Sequence, residues 1–207
     1  MFSSDADYGA YLELLAEKAK EARVQVLAWC LLPSQAHMIL TPTDEDGLRR
    51  ALASTHRRYA GLIQARRQRS GSLWRGRYTA VAMDEDYLKA AYRYVVFNPV
   101  RARLVKRPED WAWSSARGLL GLGEDPLTDL GAARQRFADF AAFLTVEEDR
   151  EATARLRSGE SVGRPIGSEA FLTSLEAQTG RRLRVLPRGR KRKAPGHIVA
   201  SSAVASA

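Results

Sequence analysis

Two short stretches of this 207-residue chain carry side chains able to do chemistry together. Tyr94 and Asn98 stand four residues apart in Tyr92-Arg93-Tyr94-Val95-Val96-Phe97-Asn98-Pro99-Val100. Gln35 and His37 stand two apart in Leu32-Pro33-Ser34-Gln35-Ala36-His37-Met38-Ile39-Leu40. Positions i and i+4 share a helix face, and i and i+2 share a strand face, so the spacing gives two pairs that can converge. The chemistry this suits is a tyrosine nucleophile beside a metal site. A phenol is a poor nucleophile at neutral pH and needs a cation or a base to activate the step it joins. Taken singly, Tyr94 also reads as a half-buried helix tyrosine, as Tyr92 does, and His37 as a structural hairpin residue.

These residues need elements to hold them, and the pattern supplies candidates. Asp5–Ala22 reads as a helix with Tyr8, Tyr11, Leu12, Leu15 and Ala19 on an apolar stripe and Ser3, Ser4 or Asp5 as caps. Val24–Leu32 is β-like, Pro33-Ser34 is a turn, and Ala36–Leu40 returns as a second strand carrying His37. Asp44 or Asp46 caps a long helix from Leu48 to Arg69, and Ser70-Gly71-Ser72 breaks it. Arg77–Met83 is a third strand candidate. Asp84 caps a helix running to Phe97, stopped by Pro99, which leaves Asn98 at a helix end with its amide free to turn inward. Further on, 132–144, 147–157 and 169–179 read as helices. From Arg181 onward the chain is basic and then rich in Ala, Ser, Gly and Pro, the composition of a disordered tail.

Charge points to a partner. The formal net charge is +9, and from Gly47 to Met83 there is no Asp or Glu while Arg49, Arg50, Arg57, Arg58, Arg66, Arg67, Arg69, Arg75 and Arg77 all fall inside. Arginines so crowded repel one another unless something neutralises them, and a phosphate backbone would. Arg75 and Arg77 flank Gly76, where backbone can approach a phosphate closely, and Trp74 is placed either to stack on an unpaired base or to pack into a core. The tail segment Pro187-Arg188-Gly189-Arg190-Lys191 has the form of a basic hook for an A·T-rich minor groove, or of a plain electrostatic anchor. The single cysteine, Cys30, excludes an intrachain disulfide and sits in an apolar run. No stretch is apolar for the ~20 residues a bilayer span needs, so the expectation is a cytoplasmic protein with no membrane partner.

Four stretches resemble the REP-associated tyrosine transposases, single-tyrosine members of the HUH group that cut single-stranded DNA. They are Ala28-Trp29-Cys30-Leu31-Leu32-Pro33, Leu73-Trp74-Arg75-Gly76-Arg77-Tyr78, Asn98-Pro99-Val100-Arg101-Ala102-Arg103-Leu104-Val105 and Trp111-Ala112-Trp113-Ser114-Ser115. Together they span roughly Phe2 to Leu120 in the family's order.

The resemblance implies an α+β, ferredoxin-like βαββαβ core over residues 1–120, a helical extension over 121–180 and a basic tail over 181–207. It implies Tyr94 as the nucleophile that forms a 5′-phosphotyrosine bond, and a Mg²⁺ or Mn²⁺ site at His37, Gln35 and Asn98. DNA, single-stranded and hairpin-bearing, would be held by Arg49, Arg50, Arg57, Arg58, Arg66, Arg67, Trp74, Arg75, Arg77, Arg188 and Arg190, with room for a homodimer.

Two departures stand out. The family's His-hydrophobic-His signature is Gln35-Ala36-His37 here, so an amide oxygen replaces one imidazole and the site binds its cation more weakly. The family's first, central strand also has no counterpart ahead of the first helix, which would strip its neighbours of ladder partners. Both departures favour a rival reading, a catalytically inactive DNA-binding descendant of such a transposase.

Overall fold

A computed structural model of the chain describes residues 1–68 and 70–184. The order begins with α1 (Asp5–Glu21), β1 (Val24–Leu32), β2 (Gln35–Pro42), α2 (Gly47–Arg67), α3 (Glu85–Val96) and α4 (Asn98–Arg101). A 3₁₀ turn (Pro108–Asp110), α5 (Ala116–Leu119), α6 (Leu130–Arg136), α7 (Phe140–Thr145), α8 (Arg150–Val162) and α9 (Glu169–Thr179) follow. The class is α+β, with a small two-stranded antiparallel sheet among the helices.

The sheet divides the apolar residues into two sets. Below it, Tyr8, Tyr11, Leu15 and Ala19 of α1 and Ala51, Leu52, Tyr59 and Ile63 of α2 pack on Val24, Val26, Trp29 and Leu31. Those helical spacings of three and four are the ones that line up on one face. Above it, Leu27, Ala28, Cys30, Leu32 and Ile39 meet α3, α5, α6 and Leu156 of α8. Strict alternation would send Leu27 and Ala28 to opposite faces. The ladder instead skips Leu27, pairing Val26 with Leu40 and Ala28 with Ile39. This bulge puts both residues on the upper face and switches the side that later strand residues take.

Every residue of β1 except Gln25 is buried, so its outer edge cannot rely on water. The Trp113–Ser115 segment closes it. Leu31 N–H donates to the Trp113 carbonyl (2.9 Å) and Ser115 N–H to the Trp29 carbonyl (2.9 Å). The Trp29 N–H donates to Ser115 Oγ at 3.0 Å. The indole of Trp111 donates to the Leu31 carbonyl at 3.0 Å, and Trp113 stacks on Tyr8 with ring centroids 4.8 Å apart. Asp129 N–H then takes the Val26 carbonyl at 2.8 Å. Ser115 stands at the N-cap position before α5 but makes no side-chain cap there. The outer edge of β2 has no such cover: among the described residues, no backbone group outside β1 bonds to it.

Two expectations are corrected here. Arg77–Met83 forms no strand, and only Met83 pairs, in an isolated parallel bridge to Ile166. Val81 and Met83 are partly buried while Ala80 and Ala82 are exposed, as in a strand. The alternation is present, but no second strand runs beside it. The helix expected over 132–144 is two helices, α6 and α7, each with its own aspartate cap: Asp129 to Ala132 N–H and Asp139 to Ala142 N–H. Asp84 caps α3 as expected, accepting from Tyr87 N–H. The chain then restarts as α4 with Pro99 in its first turn, where a missing N–H costs nothing.

The start of the tail also differs from expectation. Leu183 and Arg184 N–H groups donate to Glu176 Oε1 (2.8 and 3.1 Å), and the Arg184 guanidinium pairs with Glu169. Carboxylates on α9 therefore anchor the chain as far as Arg184. Tail residues Arg188 and Arg190, and Arg69, lie outside the described residues.

Ser115 is fully buried, and removing its hydroxyl strands the Trp29 N–H. Ser115→Ala is expected to lower stability by about 1–3 kcal/mol. In urea titration the midpoint should fall with an unchanged slope, whereas a wild-type midpoint would show that the edge is not sealed through this hydroxyl.

Candidate functional site

α3 places Tyr94 and β2 places His37. Tyr94 lies on the buried face of α3 with Ala91 and Val95. His37, opposite Cys30 in the ladder, shares its strand face with Ile39. The two rings meet edge to face with centroids 6.2 Å apart. The neighbouring Tyr92 has a different environment. It is fully buried against Phe137 and Phe140, its hydroxyl has no partner, and burial pushes its phenol up to about 12. The structure thus separates the two tyrosines into a packing residue and one in contact with charge.

That charge comes from two places. Arg101 of α4 lies over the Tyr94 ring, guanidinium carbon 4.3 Å from the centroid. It also donates to the Tyr94 carbonyl, to Asn98 Oδ1 (3.4 Å) and to Glu148 (3.4 Å). Burial lowers its pKa, with Glu148 and Tyr94 opposing. The second source was missed by the sequence reading: Glu160 of α8 sets its Oε1 2.9 Å from His37 Nδ1, and its charge acts on Tyr94. Burial pushes the Glu160 carboxyl up, but His37, Tyr94 and the nearby Arg101 outweigh it, so it lies below its ordinary value and is ionised at neutral pH. Tyr94 moves the other way, raised first by burial and then by the Glu160 charge.

α8 reaches this position because of how it packs. Ala152, Leu156 and Gly159 form its buried stripe, and Glu160 follows Leu156 by four, so it points the same way. A Cβ on Gly159 would lie 2.7 Å from Ile166 Cδ1 and 3.3 Å from Val81 Cγ2. A side chain at 159 would have to push the end of Ile166 aside. Glu160 falls on this apolar stripe only once the face of the helix is known, which is why the sequence did not single it out.

Of the ligand set that the resemblance implies, the structure brings His37 beside Tyr94 and leaves the rest apart. Asn98 is buried, with its Oδ1 turned to the Arg101 cation and its Nδ2 without a partner. Gln35, the first residue of β2, is exposed and makes no side-chain hydrogen bond among the described residues. No hydrogen bond or ring contact joins the three. An amide oxygen facing a guanidinium is poorly placed to hold a second cation. Among the described residues, no group of three or more His, Cys, Asp and Glu side chains is gathered as a metal site.

The arginine-rich segment is less bare than its sequence. Carboxylates from outside it meet five of its arginines: Arg49 pairs with Asp46, Arg50 with Asp44, Arg58 with Glu17, and Arg66 and Arg67 with Asp7. The expectation of arginines without counter-charge is corrected accordingly. Tertiary packing of α1 on α2 supplies what the local sequence lacks. Arg57, Arg75 and Arg77 are exposed and make no ion pair among the described residues. Trp74 stacks on His56 (4.1 Å between centroids) and donates its indole N–H to the His56 carbonyl. That ring is therefore committed to packing. His56 in turn meets the Tyr11 hydroxyl at 3.0 Å, and burial pushes its imidazole down to about 4.

No helix is long and apolar enough to cross a membrane among the described residues. Comparison of the chain with protein-family models, with curated proteins and with solved structures gave no match to any of them.

Asp7 is the buried member of the α1–α2 charge cluster. Burial raises its carboxyl, but hydrogen bonds from the Ser3 N–H and hydroxyl, together with Arg67, bring it below its ordinary value. A group depressed in the folded state binds protons more readily when unfolded. Its contribution is complete above the unfolded value, about 3.9, and disappears as pH falls through the folded one. Stability is therefore expected to drop with acid below about pH 4, and Asp7→Asn should flatten that limb. An unchanged acid limb in the variant would place the acid sensitivity elsewhere.

Proposed function

We propose that this chain is a transposase-like DNA-binding protein that recognises hairpin-bearing single-stranded DNA and cleaves and rejoins it through Tyr94. The observation that carries this reading is the meeting of Tyr94 and His37, from α3 and β2, under the Arg101 guanidinium. A tyrosine, an imidazole and a half-buried arginine around one point suit transfer of a phosphoryl group to a phenol. The order α1–β1–β2–α2 fits a ferredoxin-like core, and we take that arrangement as part of the proposal.

The residues divide the work as follows. Tyr94 oxygen gives up its proton to solvent and attacks the scissile phosphorus, forming a 5′-phosphotyrosine bond, and the 3′ oxygen leaves with the bonding electrons and is protonated from solvent. Arg101 faces the phosphate and balances its charge. Arg57, Arg75 and Arg77 hold the strand through its phosphates, contributing affinity that falls with salt. His37 would hold a Mg²⁺ or Mn²⁺ ion, which would supply charge neutralisation at the phosphate. Rejoining is the reverse, with a 3′-hydroxyl attacking the phosphotyrosine.

A second reading, a non-catalytic DNA-binding descendant, is favoured by the environment of Tyr94, since burial and Glu160 both stabilise its protonated form. Incubating the full chain with hairpin single-stranded DNA and Mg²⁺ or Mn²⁺, then running a denaturing gel, separates the two. A covalent adduct is expected, and Tyr94→Phe should abolish it. Binding without an adduct, even in Gln35→His, would leave only the DNA grip. Arg75→Ala/Arg77→Ala should weaken binding and reduce its salt dependence, with no effect if these side chains face away from the DNA.

A further inference from the structure

Resting on that reading of the site, we propose that Glu160 is the second protein ligand of the divalent cation, beside His37, in place of Gln35 and Asn98. The separation of His37 Nδ1 and Glu160 Oε1 is 2.9 Å. In an octahedral site with ligands at about 2.1 Å, adjacent ligands lie about 3.0 Å apart. A cation can therefore be bound by both groups with little movement of either side chain. Two protein ligands suffice for Mg²⁺, which keeps most of its water and completes its shell with substrate phosphate.

Electrostatics favour the same assignment. Glu160 stands 2.9 Å from His37, whose ring meets that of the attacking tyrosine, so a phosphodiester entering this space meets a carboxylate. A divalent cation between carboxylate and phosphate turns that repulsion into attraction on both sides. Asn98 offers no comparable help, because its oxygen already faces Arg101. Gln35 supplies only a neutral oxygen from an exposed strand end. With the Arg101 and Arg157 charges acting on Tyr94, affinity for the cation alone is modest and rises when a phosphate is present. The helical extension then becomes part of the active site, since Glu160 reaches it from α8.

The test uses Mn²⁺ alone with the full-length protein, binding being followed by electron paramagnetic resonance of free Mn²⁺. One Mn²⁺ per chain is expected. Glu160→Gln and His37→Ala should each weaken it about tenfold or more, Gln35→Ala should leave it unchanged, and Glu160→Asp should retain part of it. Circular dichroism confirms that each variant is folded. Wild-type affinity in Glu160→Gln, a loss in Gln35→Ala equal to that in His37→Ala, or no Mn²⁺ bound to the wild type would overturn the assignment. The DNA reaction reports separately. A metal-dependent Tyr94 adduct undiminished in Glu160→Gln would leave the function standing and this inference refuted. Mn²⁺ binding that depends on Glu160 with no adduct on any DNA would leave the inference standing and the function refuted.

Discussion

The arrangement rests on the need to satisfy a strand buried on both faces. β1 lies between α1–α2 and α3, so the backbone groups along its outer edge must find partners inside the protein. They find them in Trp113, Ser115 and Asp129, residues some eighty to a hundred positions further along the chain. This ties the second half of the chain to the first through hydrogen bonds rather than through apolar contact alone. It also explains why Leu27, Cys30 and Ile39 share one core with Ala132, Phe137, Phe140 and Leu156. The segment after Leu120 is built into that core.

Once the edge is closed, the position of the site follows. β2 is held by β1 and carries His37 to the upper face, where α3 brings Tyr94. The α3–α4 junction, made by Pro99 in the first turn of α4, turns Arg101 back over the tyrosine. The site is thus a meeting of a strand, a helix end and a later helix. Its charges are balanced closely: Glu148 and Glu160 stand against Arg101 and Arg157, and the phenol is held in its protonated form. Under the proposed function, an incoming phosphodiester with its counter-ion would redistribute this charge.

Much of the secondary structure was legible because it rested on local rules. α1, β1, the turn at Pro33-Ser34 and the Asp84 cap follow from periodicity and side-chain hydrogen bonding within a few residues. Arg77–Met83 misled because alternation is a property of one segment, whereas a strand needs a neighbour. The bare arginine segment misled for a related reason. Its counter-charges, Asp7 and Glu17, are forty to sixty residues away and meet it only when α1 packs on α2. At the site, His37 and Tyr94 stood out by residue type and spacing. Glu160 did not, since one glutamate in a helix rich in Arg and Glu carries no mark until its face is known. Asn98 was legible as an inward-turning amide, but its neighbour Arg101 decided where the oxygen points.

Gly159 gives the arrangement a sensitivity of an unexpected kind. A hydrogen at position 159 leaves Ile166 and Val81 in place where a carbon would press on both. Glu160 is its immediate neighbour, so the packing beneath the carboxylate depends on a position that has no polar atom in its side chain. Natural variation at 159 would therefore be felt through the repacking of Ile166 and not through any lost hydrogen bond. A survey that scored only polar residues would overlook it.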